Sequence, residues 1–191
     1  MSEGNTANPR IWLNADVWVA PVGTTAPIYS NFATPMSTIS PLWTALGLLS
    51  QDDGMTETRD QDSTDHYAWG NILVRNTRAK IKFSFQVTAL EDNAAVFGLV
   101  YPGSTSVTNL AITTRTVKVP TVNTKSFCFE MTDGSIKSRR YIPTGEVSEI
   151  ADISINDSEM AAKQLTISVY PSGAGIAWYD MTNDTQAAVT S

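Results

Sequence analysis

The chain is poor in the residues that carry chemistry. Its 191 residues include one histidine, His66, and one cysteine, Cys128. A single cysteine excludes an intramolecular disulfide and any cysteine-built metal cluster. A single histidine in a polar stretch leaves serine or cysteine nucleophiles without a ready base. There is no Gly-x-Ser-x-Gly elbow, Gly-x-Gly-x-x-Gly turn or Walker-type phosphate loop. No apolar run approaches the ~20 residues of a membrane helix. Met1 to Arg10 has neither a basic nor an apolar leader region, so no signal peptide is expected and synthesis in a cytoplasm fits.

Charge is scarce too. Only 17% of residues are charged, and the balance is acidic, with a net charge of −6 and a pI near 4.7. An acidic chain releases few counterions from phosphates, which argues against bulk nucleic-acid binding. Thr, Ser and Asn replace the missing charge, a composition that suits strand surfaces and turns. The hydrophobic content of 42% is enough for a real core.

What is present is period-2 alternation. Val17 and Val19 share one face of a strand over Ala15–Ala20, with Asp16 and Trp18 on the other. Ile81, Phe83, Phe85, Val87 and Ala89 alternate with Lys80, Lys82, Ser84, Gln86 and Thr88, which predicts a half-buried strand. Phe127, Phe129 and Met131 alternate with Ser126, Cys128 and Glu130, so Cys128 is expected on the polar side as a partly exposed thiol. Asp133-Gly134 predicts a hairpin turn into Ser135–Ile142, stopped by Pro143. Further strands are expected at 114–119, 146–155 and 162–170. One helix is expected over Glu91–Tyr101, opened by Glu91 and Asp92 and ended by Pro102-Gly103. Thr24 to Pro41, with three prolines, is expected to be a long loop. Leu42 to Leu48 is expected to be a helical turn or a docking segment. These elements predict a mainly β fold, a β-sandwich or open barrel with one flanking α-helix. The expected organisation is an N-terminal arm at 1–14, a β-domain at 15–171 with an extended polar arm at about 50–75, and a C-terminal tail at 172–191 with an apolar clip at 176–179.

Two charged segments stand out, one within that arm and one at the strand end that follows it. The first is acidic: Asp52, Asp53, Glu57, Asp60, Asp62 and Asp65, with Arg59 among them. The second is basic: Arg75, Arg78, Lys80 and Lys82, beyond Trp69. Asp60 to His66 lacks the central glycine and closing glutamate of a calcium loop, so neither metal nor cofactor is expected. Phe83 and Phe85 alternate inward and cannot interleave as base-stacking platforms with the cations. Complementary patches facing neighbours of opposite sign are the better physical account. All twelve of these residues, Trp69 included, are candidate contacts between subunits. No catalytic site is predicted.

The order of features resembles the major tail tube proteins of siphophages, notably those of actinobacterial phages. The resemblance rests on Ala15-Asp-Val-Trp-Val-Ala-Pro-Val-Gly-Thr24 and on the run from Leu46 to Asp60. It continues through Ala68-Trp-Gly70, Phe83 to Tyr101, Phe127-Cys-Phe-Glu-Met-Thr-Asp-Gly134, Ile142 to Val147 and Leu165 to Pro171. It implies a structural virion protein, not an enzyme, whose hexameric rings stack into the tube that conducts the genome. It further implies a tape measure protein, a tail terminator and baseplate or tip proteins as partners, and DNA that passes without specific binding. No added immunoglobulin-like domain is expected at this length. Two rival classes remain open: another virion β-protein (a terminator or decoration protein), and a carbohydrate-binding module using Trp12, Trp43 or Trp178.

Overall fold

The computed structural model describes residues 9–28, 31–158 and 160–184. In chain order the elements are β1 (Asn14–Pro21), α1 (Met36–Ile39), β2 (Thr44–Ala45), β3 (Met55–Ala68), β4 (Ile72–Ala89) and α2 (Ala94–Val100). Then come β5 (Thr105–Asn109), β6 (Ile112–Thr116), β7 (Lys125–Asp133), β8 (Ile136–Ile150), β9 (Lys163–Val169) and β10 (Tyr179–Thr182). The fold is mainly β, as expected.

All strands except β5 and β6 form one antiparallel sheet in the order β2-β1-β7-β8-β9-β4-β3, with β10 paired to β8. The segment after β2 meets the end of β4 through a Leu49–Ala89 bridge, with Ser50 N–H donating to Thr88 O and Leu90 N–H to Leu48 O. The sheet therefore rolls into an open barrel. Its inner core gathers Val17, Val19, Phe85, Val87, Phe127, Phe129, Leu165 and Ile167. Each buried side chain of this kind contributes about 1.5–3 kcal/mol. The alternation predicted these faces, except that Ile81 is exposed: at that level β4 has already left the body of the sheet. α2 packs Val96, Leu99 and Val100 into the same core.

The helix begins later than expected. Asn93 is its cap and accepts from Val96 N–H at 3.0 Å. Glu91 instead turns outward, where it accepts Leu48 N–H at 2.8 Å. A second, four-residue helix, α1, lies in the proline-rich loop, where none was expected.

That loop corrects the reading of Cys128. The thiol is buried, because Met36 and Trp43 cover the second face of the sheet, packing with Ala20, Cys128 and Tyr141. Trp43 Nε1–H donates to Thr25 O at 3.0 Å, which anchors the segment that was expected to dock. Burial pushes the Cys128 thiol far above its ordinary pKa.

Three further expectations are corrected. Pro143 does not end a strand. β8 runs through it because the β7 register shifts between Lys125 and Phe127, and a proline's missing N–H is tolerated at such an irregularity. Two residues on, Gly145 sits where a Cβ would come within 3.1 Å of Ser168 O. The strand expected at 114–119 starts earlier and ends at Thr116, as β6, and it pairs in a hairpin with β5, where no strand was expected. Part of the expected tail is sheet: β10 pairs Tyr179–Thr182 with β8, and Trp178 packs edge-on against Phe83 and Phe85. The outermost parts of the expected arm and tail, 1–8 and 185–191, lie outside the described residues.

Candidate assembly surface

β3 and β4 are far longer than the sheet that holds them. β4 pairs with β9 only from Phe83 to Ala89. Among the described residues, β4 from Ile72 to Lys82 pairs only with β3, and β3 pairs with no other strand. The polar arm is therefore a two-stranded ribbon projecting from the barrel. Two bulges interrupt its ladder, between Gln61 and Asp62 and between His66 and Tyr67. Lys80 is the extra residue at the first and takes φ +53 to accommodate it. The tip turns through Trp69, Gly70 and Asn71.

The base of the ribbon is tied down. Arg140 on β8 pairs with Glu57 on β3 and, at 2.6 Å, with Asp180 on β10. Its guanidinium lies 5.4 Å from the Phe85 ring centroid and 5.3 Å from that of Trp178. Trp178 Nε1–H donates to the same Asp180 at 3.0 Å. Glu57, a candidate contact between subunits, is thus already engaged within the chain.

The remaining candidates stand differently. Asp52 and Asp53 lie in the exposed turn before β3. Arg59 donates to Gln61 at 2.8 Å, and Asp65 accepts from Asn76 at 2.5 Å. Asp60 lies opposite Lys82 in register but forms no ion pair with it. Asp62, Arg75, Arg78 and Lys80 are likewise without an ion pair among the described residues. Trp69 is fully exposed.

β3 carries four carboxylates and one arginine, whereas β4 carries four cations and no carboxylate. The structure brings the two charged segments side by side as the strands of one ribbon, with both outer edges unpaired among the described residues. The sequence reading missed the apolar tip. Tyr67, Ile72, Leu73 and Val74 join Trp69 there, all exposed. Ile72-Leu73-Val74 beside a turn glycine was the available signal.

Of the tryptophans considered for sugar binding, Trp43 is buried and Trp178 is packed against the core, while Trp12 remains 40% exposed. Lys137, Arg139 and Arg140 stand close together in the sequence but do not form a surface patch. Arg139 is 2% exposed, pairs with Glu130 at 2.5 Å and donates to Thr34 O at 2.8 Å.

A rolled antiparallel sheet with a long, charge-segregated, free-edged ribbon defines a structural β-subunit equipped to join other chains, since unpaired edges in native proteins are normally paired or blocked. The family model described as phage tail tube protein matches residues 3–191, and the chain belongs to that family. Its class is therefore a structural protein of the phage tail, one that self-assembles into a tube. No curated protein matches the chain.

Proposed function

We propose that this chain is the major tail tube subunit of a siphophage, akin to those of actinobacterial phages, and that its copies close into hexameric rings stacked as the conduit for the genome. The observation that carries this reading is the ribbon with free edges of opposite charge. Rotation about a ring axis preserves strand direction. β4 of one copy then lies antiparallel to β3 of the next, cations against carboxylates. Such a contact is heterologous, and a heterologous contact that closes makes a ring. The number six rests on the family resemblance, as do the tape measure, terminator and baseplate or tip partners. In this reading 15–171 is the tube domain, 50–75 its inter-subunit arm, and Asp52, Asp53, Arg59, Asp60, Asp62, Asp65, Trp69, Arg75, Arg78, Lys80 and Lys82 face neighbouring copies. The net charge of −6 supports a lumen past which DNA slides without adhering.

Negative-stain microscopy of the purified chain over a range of concentrations tests this. Rings or tubes with a central channel are expected. A chain that stays monomeric at every concentration and salt overturns the proposal. Reversing Arg75, Arg78, Lys80 and Lys82 to glutamate should abolish assembly, and high salt should weaken that of the unmodified chain.

A further inference from the structure

The two bulges of the ribbon have one cause. At its base, Met55 lies opposite Val87 and Arg59 opposite Phe83, a register fixed by the apolar face of β4, where Phe85 and Val87 enter the core. At its tip, Ala68 lies opposite Ile72 across a turn in which Gly70 takes φ +90 and Asn71 φ +59. Glycine and asparagine accept such a backbone most readily. Continued without a break, the base register would bring Trp69 opposite Leu73 and put Ile72 in the turn, where a β-branched residue resists a left-handed backbone. Base and tip therefore disagree by two residues, and β4 absorbs both, Lys80 at one bulge and Val74 at the other.

Base and tip fix how many residues are extra, but not where the first one sits. Between the bulges, residues 62–66 face 75–79, and no large apolar side chain there holds the register. Polar contacts hold it instead. Asn76 Nδ2–H donates to Asp65 at 2.5 Å, and His66 Nε2 and Thr77 Oγ1 share a hydrogen bond at 2.9 Å. The same register forces Lys80 to φ +53 and leaves Asp62 facing Ala79. With Asn76 as the extra residue, Asp62 would face Lys80, Ser63 would face Ala79, Thr64 would face Arg78 and Asp65 would face Thr77. The left-handed backbone then falls on an asparagine, which tolerates it better than a lysine. Opposite charges also meet across the ladder at Asp62 and Lys80, next to Asp60 and Lys82.

We infer that the middle of the ribbon exchanges between these two registers, by migration of the first bulge between Lys80 and Asn76. Side chains alternate along a strand, so the slip carries Arg78 from the face of Ser63 to that of Thr64. Arg75, Arg78, Lys80 and Lys82 then share one face, whereas the described register divides Arg75 and Lys82 from Arg78. The consequence rests on the reading of the ribbon as an inter-subunit arm: a neighbour that binds one face selects the register whose charges suit it.

Two double variants of the full chain trap the registers as disulfides. Ser63→Cys and Arg78→Cys are directly opposed in the described register, and Ser63→Cys and Ala79→Cys in the shifted one. In the other register each pair points its Cβ atoms to opposite faces, where no disulfide closes. Cys128 is buried and stays out of the exchange. In oxidised glutathione both pairs are expected to close, while Ser63→Cys with Lys82→Cys, opposed in neither register, stays open. Closure of the 63–78 pair alone, or of all three at similar rates as in a frayed ribbon, overturns the inference. Backbone substitutions give an independent reading. Lys80→Gly relieves the left-handed lysine and should raise closure of 63–78 relative to 63–79 about tenfold, and Asn76→Gly should lower that ratio. A ratio that neither substitution moves overturns the inference as well. The traps read the unassembled chain. A single register in a chain that builds tubes overturns this inference alone, and two registers in a chain that never assembles overturn the tube reading alone.

Discussion

Arg139 and Arg140 are neighbours in sequence, and their side chains leave opposite faces of β8. Arg139 passes outward under the proline-rich loop, where it pairs with Glu130 and caps the carbonyls of Asn31 and Thr34, with its guanidinium 5.3 Å from the Phe32 ring centroid. Arg140 passes inward to the mouth of the barrel and joins β3 to β10. One fastens the loop and the other fastens the ribbon.

Arg139→Leu should therefore destabilise the chain by about 3–5 kcal/mol, since it strands Glu130 and two carbonyls beneath the loop. Chemical denaturation reads the loss. Limited proteolysis should then cut within residues 31–34, which the unmodified chain protects.

Arg140→Ala should cost about 1.5–3 kcal/mol, the worth of charged hydrogen bonds lost at a partly buried site. Hydrogen exchange distinguishes this from general loosening. Amides of β10 and of β3 near Glu57 should exchange faster together, while those of α2 should not change.

Cys128 should resist alkylation. Its thiol is buried and its pKa is pushed up by burial first and by Glu130 second, so thiolate is absent at ordinary pH. Iodoacetamide at pH 8 should leave the folded chain unlabelled and modify one thiol once denaturant is added. Rapid labelling of the native chain contradicts the packing of the second face.

Asp92 links three elements, accepting from Lys163 on β9 at 2.7 Å and from Arg115 on β6 at 2.5 Å. The Lys163 hydrogen bond, then Arg115, holds its pKa below the ordinary carboxylate range. The folded-state pKa is thus lower than the unfolded one. The stabilisation is complete above the unfolded value of about 3.9 and disappears as pH falls through the folded value. Its carboxylate is more than half exposed, so screening limits the effect to about 1 kcal/mol. Asp92→Asn should lower the melting temperature by roughly 2–4 °C at pH 7. The difference from the unmodified chain should begin to shrink as pH falls below about 4 and vanish only below the lowered folded-state value.

Asp16 has the opposite sign. Burial, then Glu130 directly across the ladder, raises its pKa. Its ionised form is the disfavoured one, and its contribution is lost as pH rises through the folded value. Asp16→Asn should raise the melting temperature at pH 7 and change it little at pH 3.

Much of the core was legible from local pattern. Period 2 placed Val17, Val19, Phe85, Val87, Phe127 and Phe129 on one face, because the geometry of a strand fixes which side chains share a side. The charge segments and Trp69 were legible as an arm. Alternation does not say whether the other side is covered, and this is why Cys128 was misplaced. Its cover comes from Met36 and Trp43, remote in sequence and carried by a loop with no period of its own.

The sequence by itself determined a mainly β chain, poor in catalytic groups, with opposed charges flanking a turn. Only the tertiary structure decided what that arm is. Ion pairing is a matter of distance, and sequence order does not supply distances. Folding commits Glu57 to Arg140 and Glu130 to Arg139, yet leaves Asp62, Arg75, Arg78 and Lys80 with no ion pair among the described residues. The ribbon also carries the apolar tip of Tyr67, Trp69 and Ile72–Val74 away from the barrel by its own length.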